Sequence, residues 1–374
     1  MKITLNKEFY YQLFFTLCVI IPFFNNYELS FVTWLIALGL TFKKSYSVSF
    51  IRYVSYFIFI FILALVVGYF YQYRQYFVIR DITYLLKPIL GLFLGYQFFS
   101  PQIKNPFKFL LMAGLVMAII HLSMVGYGIL IHNAKSVAEI REYGGYFNDY
   151  EIYAFIILLF HKKFEISLSQ KKFRIYFIVM ALSTFFYLAR TNFIQFVILF
   201  LAMKGWLILN KKSLVVLGSI ILVSILSYSA IYVYNPKRNG NSVDEFLYKI
   251  KLIPIEAFAT KINRNDWKDF HDHYRSYENV RTIEQLSYNN SLIFGEGMGS
   301  QVDLKQKVRL GDMDLRYISI LHNGYMTILL KTGILGVLLL LGSIFYFFKK
   351  NTHLNELENN VNLLFIGTGL FLLI

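Results

Sequence analysis

The chain has 374 residues, of which 57% are hydrophobic and only 16% are charged. A charged share this far below the roughly 25% of soluble domains excludes an ordinary soluble globular protein. The net charge of +15 would suit a nucleic-acid-binding protein, but the basic residues cluster in short segments between apolar runs. The composition therefore predicts an integral membrane protein that is surrounded by membrane lipids and has no nucleic-acid partner.

Apolar runs recur along the chain, and a helix of about 20 apolar residues is long enough to cross the hydrocarbon core. We therefore predict an all-α polytopic membrane protein with about eleven transmembrane helices. The predicted spans are 9–25, 28–42, 53–71, 82–99, 107–131, 147–161, 173–189, 191–208, 213–234, 326–348 and 361–374. Residues 1–234 hold the first nine helices, 235–316 form one large extracytoplasmic loop of short helices, and 317–374 hold the last two helices.

The lysines and arginines predict the orientation of these spans. Those of the short loops lie mostly in alternate loops, at Lys43, Lys44, Arg52, Lys104, Lys108, Lys162, Lys163, Lys171, Lys172, Arg174, Lys204, Lys211, Lys212, Lys349 and Lys350. Loops rich in Lys and Arg stay on the cytoplasmic side. The N-terminus is therefore predicted inside, and the segment 235–316 is predicted outside.

Two basic residues within or between the predicted spans are candidates for function, because cations at membrane depth are costly. Lys87 lies in the fourth span, where its side chain either extends to the outer surface or points inward to bind a phosphate. Arg190 lies in the tight outer hairpin Tyr187-Leu-Ala-Arg-Thr-Asn-Phe193. It either anchors the hairpin at the interface or presents a planar guanidinium to an anionic substrate.

The outer segment adds arginines and a glycine-rich turn. Arg275 and Arg281 are among several arginines there, and a diphosphate substrate would need two or three of them to converge. The stretch Leu292-Ile-Phe-Gly-Glu-Gly-Met-Gly-Ser300 contains Gly295 and Gly297. No strand-helix-strand unit surrounds it, which argues against a dinucleotide loop and favours a turn where chain and substrate approach closely.

Histidines supply the remaining candidates. His322 precedes the tenth span, where it is either an interfacial residue bonded to backbone or a neutral imidazole that accepts a proton from a sugar hydroxyl. The pair in His271-Asp-His273 looks like part of an exposed polar loop, since a metal site needs three or four ligands. We therefore expect neither a metal nor another cofactor.

The C-terminal pattern resembles the bacterial O-antigen polymerase and O-antigen ligase superfamily. It consists of the glycine-rich turn, a polar stretch, His322-Asn323, and a span that contains Gly333 and Gly336. Two further elements are similar to that family: Arg141-Glu-Tyr-Gly-Gly-Tyr-Phe-Asn148 before the sixth span, and Arg190 in its hairpin, although Ala189 stands where the family usually has Ser.

The resemblance implies a metal-independent glycosyl transfer outside the cytoplasm of a bacterium, at its cytoplasmic (inner) membrane. The donor would be an oligosaccharide repeat unit on undecaprenyl diphosphate, polymerised into O-antigen or capsule, with a flippase and a chain-length regulator as protein partners. His322 would be the base, and Asn323 would orient it or bind sugar. Arg190 and Arg281 would bind the diphosphate, with Arg275 in reserve. Arg141, Gly295 and Gly297 would face the substrate, and Lys87, selected from its position in the fourth span, is a further candidate for binding the diphosphate.

Four alternatives remain open. A ligase would transfer finished polymer to lipid A-core, and a flippase or other transporter would move lipid-linked glycan without extending it. A metal-dependent membrane glycosyltransferase would use acids in the first outer loop, but Asn25-Asn-Tyr-Glu28 holds a single acid. In a purely structural or assembly protein, His322 would not act as a base.

Overall fold

The computed structural model describes residues 7–24, 26–99, 105–135, 137–144, 149–208, 211–237, 244, 247–248, 250–252, 270, 273–310, 313–349 and 355–373. Within these ranges the chain is mostly helical. It forms two compact units. Unit one comprises Met1–Ile51, Lys87–Asn210 and Ile344–Ile374, and unit two comprises Arg52–Leu86 and Lys211–Ser343.

A helix lies at every predicted span. The helices are α1 (Lys7–Ile20), α2 (Tyr27–Leu40), α3 (Val48–Tyr71), α4 (Gln75–Phe98), α5 (Pro106–Ile131), α6 (Val137–Gly144), α7 (Asp149–Leu159), α8 (Gln170–Phe186), α9 (Arg190–Met203), α10 (Lys211–Tyr234), α11 (Tyr274–Tyr288), α12 (Gly324–Phe345) and α13 (Glu356–Leu373). Short 3-10 turns occupy Ile21–Phe24, His161–Phe164 and Tyr346–Phe348.

Four of the described helices are long and apolar enough to cross a membrane. They are Val48–Tyr71, Pro106–Ile131, Leu214–Tyr234 and Gly324–Phe348. Other apolar helices are shorter, at 10–17 residues: Glu8–Phe23, Glu28–Leu40, Tyr150–Leu159 and Arg190–Met203. The structure therefore supports a helical membrane protein, while the larger number of spans and the division at residues 234 and 316 stay predictions.

The main core of unit one lies where α5, α7, α8 and α9 meet. A side chain at Gly114 of α5 would come within 2.2 Å of Cβ of Ala154 on α7, so glycine permits the close approach of these two helices. Ile156, Met180 and Leu199 are fully buried around this contact. For helices surrounded by lipid, close van der Waals packing of such side chains stabilises the contact, since no apolar surface is removed from water.

Unit two contains a β-hairpin that was not predicted from the sequence. Strands β1 (Val302–Leu310) and β2 (Met313–Ile318) pair antiparallel, with an irregularity in register between Asp303 and Val308. Val302 and Leu304 alternate with polar residues and bury against α11. This period of two is the signature of a half-buried strand. The expectation that the outer segment contains only short helices is therefore wrong.

Helix α12 is broken at Gly333. Its backbone angles there are φ 63° and ψ −163°, which lie outside the helical region and favour glycine. A Cβ at this position would lie 2.3 Å from the backbone of Ile293. The sequence predicted one continuous span here, because apolar runs lie on both sides of Lys331-Thr332-Gly333 and together are long enough to cross a membrane.

The glycine-rich turn fills the break and satisfies the backbone groups it frees. The amide groups of Glu296 and Gly297 donate to the carbonyl oxygens of Leu330 and Lys331, at 2.8 and 3.0 Å. On the other side, the amide groups of the second half-helix donate to the carbonyl oxygens of Leu292 and Ile293. Backbone groups in an apolar surrounding must be paired, so the inserted turn stabilises the broken helix.

Candidate functional site

His322 is held by a buried carboxylate in unit two. Its Nδ1 lies 2.9 and 3.1 Å from the two carboxylate oxygens of Glu278, and its backbone amide donates to Oε2 at 3.0 Å. The Glu278 side chain is 1% exposed, whereas the His322 side chain is 46% exposed. A carboxylate at Nδ1 places the proton of a neutral imidazole there. Nε2 is then the lone-pair nitrogen and can act as a base.

Helix α11 presents Glu278 to the histidine on its buried face. That face also contains Tyr274, Thr282 and Leu286, at helical spacing from Glu278. The Tyr274 ring meets the His322 ring edge to face, with ring centres 5.5 Å apart. Burial, and then the Glu278 carboxylate, raise the pKa of Tyr274 far above its ordinary value, so its hydroxyl stays protonated beside the carboxylate.

The two predicted arginines of α11 lie one turn before and one turn after Glu278. Arg275 is exposed, and among the described residues it makes no ion pair. Arg281 is only 12% exposed and pairs with Glu284, while its Nε donates to the carbonyl oxygen of Asp303. Arg275, the reserve candidate, is thus more accessible to an anion than Arg281.

Arg80 is a further cation near His322 that was not selected from the sequence. Its guanidinium donates to the hydroxyl of Ser319, three residues before His322. The guanidinium carbon lies 5.1 Å from the ring centre of Phe77, which fixes its direction by a cation–π contact. Its side chain is 34% exposed, so it remains accessible.

A buried ion pair joins α4 to the first half of α12 in unit two. Nζ of Lys331 lies 2.6 Å from Oδ2 of Asp81, and both side chains are almost completely buried. Nζ also donates to the carbonyl oxygen of Ser300, and the Gly299 amide donates to Oδ2 of Asp81. These bonds attach the end of the glycine-rich turn to both helices.

The glycines of the turn are required by close packing of the chain itself. A Cβ at Gly295 would lie 2.5 Å from the Thr332 amide, and one at Gly297 would lie 2.0 Å from the Gly68 amide. Both positions are buried and have positive φ, at 72° and 79°. The predicted close approach is thus present between segments of the chain, and a role of these glycines towards substrate stays a prediction.

Asn323 caps helix α12. Its side-chain oxygen accepts a hydrogen bond from the Tyr325 amide at 3.0 Å, and its carbonyl oxygen accepts from the Thr327 amide. Such a cap satisfies an amide group at the start of a helix. Asn323 therefore helps to fix the point at which the chain enters α12, immediately after His322, and contact with a sugar stays a prediction.

Arg190 and Arg141 belong to unit one. Helix α8 ends at Phe186 and α9 begins at Arg190, with Leu188 in a left-handed conformation at φ 49°, so a tight turn joins the two helices as predicted, and its location on the outer side stays a prediction. Arg190 is exposed at the first position of α9. Arg141 lies on α6, whose last residue, Gly144, packs against His121 of α5. Residues 145–148 of that motif lie outside the described residues.

A layer of buried polar side chains lies inside unit one, close to the start of α9. His121, Glu151, Ser183, Asn192 and Gln195 are each 0% exposed. Nδ1 of His121 lies 2.7 Å from Oγ of Ser183. This layer was missed from the sequence, because His121, Glu151 and Ser183 are far apart in the chain and only the packing of α5, α7 and α8 brings them together.

Lys87 and the histidine-rich loop complete the predicted set. Lys87 lies in α4 directly before Pro88, and its side chain is half-buried and has a partner. Binding of phosphate by Lys87 stays a prediction. Three or more His, Cys, Asp or Glu residues do not cluster anywhere in the described ranges. His271 and Asp272 lie outside them, so metal independence also stays a prediction.

Comparison with known proteins adds no identification. The chain matches no protein-family model, and neither a curated protein nor a solved structure is significantly similar to it. The fold and the site thus define a mostly helical protein with helices able to cross a membrane and a His–Glu pair at the start of one of them.

Proposed function

We propose that the protein transfers glycosyl units from a polyprenyl-diphosphate-linked oligosaccharide and polymerises them into a surface polysaccharide. The observation that carries this proposal is the His322–Glu278 pair. A histidine whose Nδ1 is held by a buried carboxylate keeps its other nitrogen aligned for proton abstraction. The sugar hydroxyl that attacks the donor has a high pKa and requires such a base.

The leaving group requires cations. Departure of a lipid diphosphate increases the negative charge on its oxygens, and fixed guanidinium groups stabilise that charge in the transition state. In unit two, Arg80 and Arg275 are accessible, and Arg80 is linked to the segment that leads into His322. For Arg190, an exposed cation of unit one, binding of the diphosphate stays a prediction. Arginines in this role make a divalent ion unnecessary in the proposed reaction.

The proposed location follows from the distribution of basic residues. The segment that contains Glu278 and His322 is assigned to the outer side of a bacterial cytoplasmic membrane, where lipid-linked repeat units are presented. Four helices long and apolar enough to cross a membrane support an embedded enzyme. The acceptor is a second lipid-linked repeat unit, and the polyprenyl chains lie in the surrounding lipid.

The test is complementation of a deletion strain, read from the length distribution of surface glycans on a gel. His322→Ala is expected to lower polymer formation by about 10²–10⁴-fold, the usual contribution of a general base. Glu278→Gln should also lower it strongly, because the amide no longer fixes the tautomer of His322. The matched control is Arg309→Ala, which removes an exposed arginine of β1 and should leave chain length unchanged.

Protein amounts in the membrane must be equal for all variants. Wild-type chain lengths from His322→Ala would remove the imidazole as the base, and would leave a structural or assembly role as the better explanation. Loss of polymer for Arg80→Ala and Arg275→Ala, with retention for Arg309→Ala, would assign the diphosphate-binding arginines.

The same gel separates a polymerase from a ligase. Loss of a polymerase leaves single repeat units on the surface, whereas loss of a ligase leaves long polymer on its lipid carrier. Both reactions use a lipid-diphosphate donor and a base, so the His322–Glu278 pair suits either of them. The acceptor alone distinguishes the two activities.

A transporter of lipid-linked glycan is the second candidate, and the break in α12 is the observation that favours it. Broken helices and buried ion pairs such as Asp81–Lys331 are common in transporters. Here, however, the glycine-rich turn satisfies the freed backbone groups on both sides of the break. Purified protein in vesicles discriminates the two: a transporter moves labelled lipid-linked sugar across the bilayer without lengthening it.

A further inference from the structure

The polar layer of unit one contains a buried acid. Glu151 lies near the start of α7 and is 0% exposed. The hydroxyl groups of Ser183 and Tyr187 lie within reach of its carboxyl group. Within the described ranges no lysine, arginine or histidine forms an ion pair with it.

The helices packed against α7 bring few charged groups towards Glu151. Helix α5 contributes His121, whose ring is stacked on Tyr187 of the α8 end at 3.8 Å. Helix α9 contributes Arg190, which is exposed at the start of that helix. Lys108 of α5 lies thirteen residues from His121, roughly 20 Å along the axis at 1.5 Å per residue.

Several other titratable groups on and near α7 are directed elsewhere. The hydroxyl groups of Tyr150 and Tyr153 donate to the Leu110 carbonyl oxygen and to Thr368. The basic residues His161, Lys162 and Lys163 follow the far end of α7, roughly 15 Å from Glu151 along the axis. On α6, Tyr143 stacks on His132, and Glu142 is exposed.

The layer also contains amide oxygens that could bind a cation. The side-chain amide groups of Asn192 and Gln195 are fully buried and make no hydrogen bond within the described part of the chain. They lie one turn apart on α9, and the ring contacts of Phe155 with Phe196 and of Phe160 with Phe200 place the start of α9 level with Glu151 on α7. Buried polar groups without partners are costly, so such a group indicates an unfilled role.

We propose that Glu151 and the polar side chains around it form a binding site for one monovalent cation, which is either a proton or Na⁺. An ionised carboxylate buried without a cation is strongly unfavourable, so Glu151 must take up positive charge. Hard oxygen ligands suit a proton or an alkali ion, and they do not suit a soft transition metal. The proposal is independent of the glycosyl-transfer function, since it concerns a layer inside unit one.

Thermal unfolding of the full-length protein in detergent tests the site, with NaCl replaced stepwise by choline chloride or KCl at several pH values. If Na⁺ binds, the Tm of the wild-type protein rises by several degrees with Na⁺ above neutral pH, and KCl has little effect. If a proton binds, the Tm falls as the pH rises and does not respond to Na⁺. Glu151→Gln should remove either response, whereas Glu142→Gln, an exposed acid on α6, should retain it.

Two further measurements keep the proposal falsifiable if Glu151→Gln does not fold. Gln195→Met keeps the shape of the side chain, and should weaken the Na⁺ response several-fold while leaving a proton response unchanged. Infrared spectroscopy of the wild-type protein detects the carbonyl stretch of a protonated carboxylic acid directly. A wild-type protein that shows neither response and no protonated acid would overturn the proposal, as would an unchanged response in Glu151→Gln.

Discussion

Lys331 and Asp81, 250 positions apart in the chain, form an ion pair that is almost completely buried. The pair does more than neutralise two charges, because both partners also bind the backbone at Gly299 and Ser300. Its position next to the break at Gly333 makes it a clamp between α4, α12 and the glycine-rich turn. We expect the turn, and hence the broken helix, to depend on it.

Replacement of one partner of this pair should be strongly destabilising. Lys331→Met leaves an uncompensated buried carboxylate, and Asp81→Asn leaves an uncompensated buried ammonium. Each substitution should lower the free energy of unfolding by about 3–5 kcal/mol. The double variant removes both charges and should lose less than the sum of the two. Denaturant titration of purified protein measures this double-mutant cycle.

Lys307→Met is the control, because Lys307 is exposed on β1. Its effect should stay within about 0.5 kcal/mol. The clamp would be contradicted if Lys331→Met were as stable as the control. It would also be contradicted if the stability losses of Lys331→Met and Asp81→Asn simply added in the double variant.

Gly297→Ala should destabilise the protein, whereas Gly218→Ala should not. Residue 297 has φ 79°, and a Cβ there would meet the backbone of Gly68, so we expect a loss of about 1–3 kcal/mol. Gly218 lies inside α10, and a Cβ added to it would have no other atom within 4 Å. Gly218→Ala should be neutral or stabilising by about 0.5–1 kcal/mol, as alanine favours helices. Equal Tm values for the two variants would contradict the packing of the turn.

Asp303 should make the β-hairpin sensitive to acid. Hydrogen bonds from Arg316, at 2.9 and 3.0 Å, hold the pKa of the Asp303 carboxyl group well below its usual range. A folded-state pKa below the unfolded value stabilises the fold above the unfolded pKa, near 3.8. This contribution is lost as the pH falls through the folded-state pKa.

The measurement is the difference in Tm between the wild-type protein and Asp303→Asn at pH 7 and at successively lower pH. Wild-type protein should be the more stable at pH 7, and the difference should shrink below about pH 4. A difference that is constant with pH, or that grows on acidification, would assign the effect of the substitution to something other than the Arg316 pair.

Cysteine labelling can test the predicted orientation, because the chain has one cysteine, Cys18, which is buried in α1. In a Cys18→Ser background, Arg309→Cys should react with a membrane-impermeant thiol reagent in intact cells. Lys171→Cys, in a predicted cytoplasmic loop, should react only after permeabilisation. Both positions are exposed in the structure, so access does not limit the reaction. The reverse labelling pattern would invert the assignment from basic residues.

The positions of the helices could be predicted from sequence because they depend on local properties. In lipid, the backbone N–H and C=O groups of a long apolar run must form hydrogen bonds within that run, which favours a helix. A helix is present at each predicted run. The break at Gly333 was not predicted, although Lys331 and Thr332 interrupt the apolar run there, because the turn that fills the break comes from a segment more than thirty residues earlier in the chain. The hairpin was missed although Val302, Leu304 and Val308 alternate with polar residues, as the strands lie in a segment that was treated as short helices.

The site was partly predictable. His322 was selected because it directly precedes an apolar span and belongs to the pattern that resembles a known family. Glu278 carried a weak signal, an acid at helical spacing from Tyr274 and Leu286 on an otherwise buried face. Its partnership with His322 joins residues 44 positions apart, and local patterns carry no information about such a pair.

The amino-acid sequence by itself determined which segments become apolar helices, because hydrophobicity and length act within each segment. It also predicted the tight turn before Arg190. Only the tertiary structure decided which polar groups meet: His322 with Glu278, Asp81 with Lys331, and Glu151 with the layer formed by α5, α8 and α9. The physical reason is that the energy of a buried charge depends on neighbours brought by other helices, and these are distant in sequence.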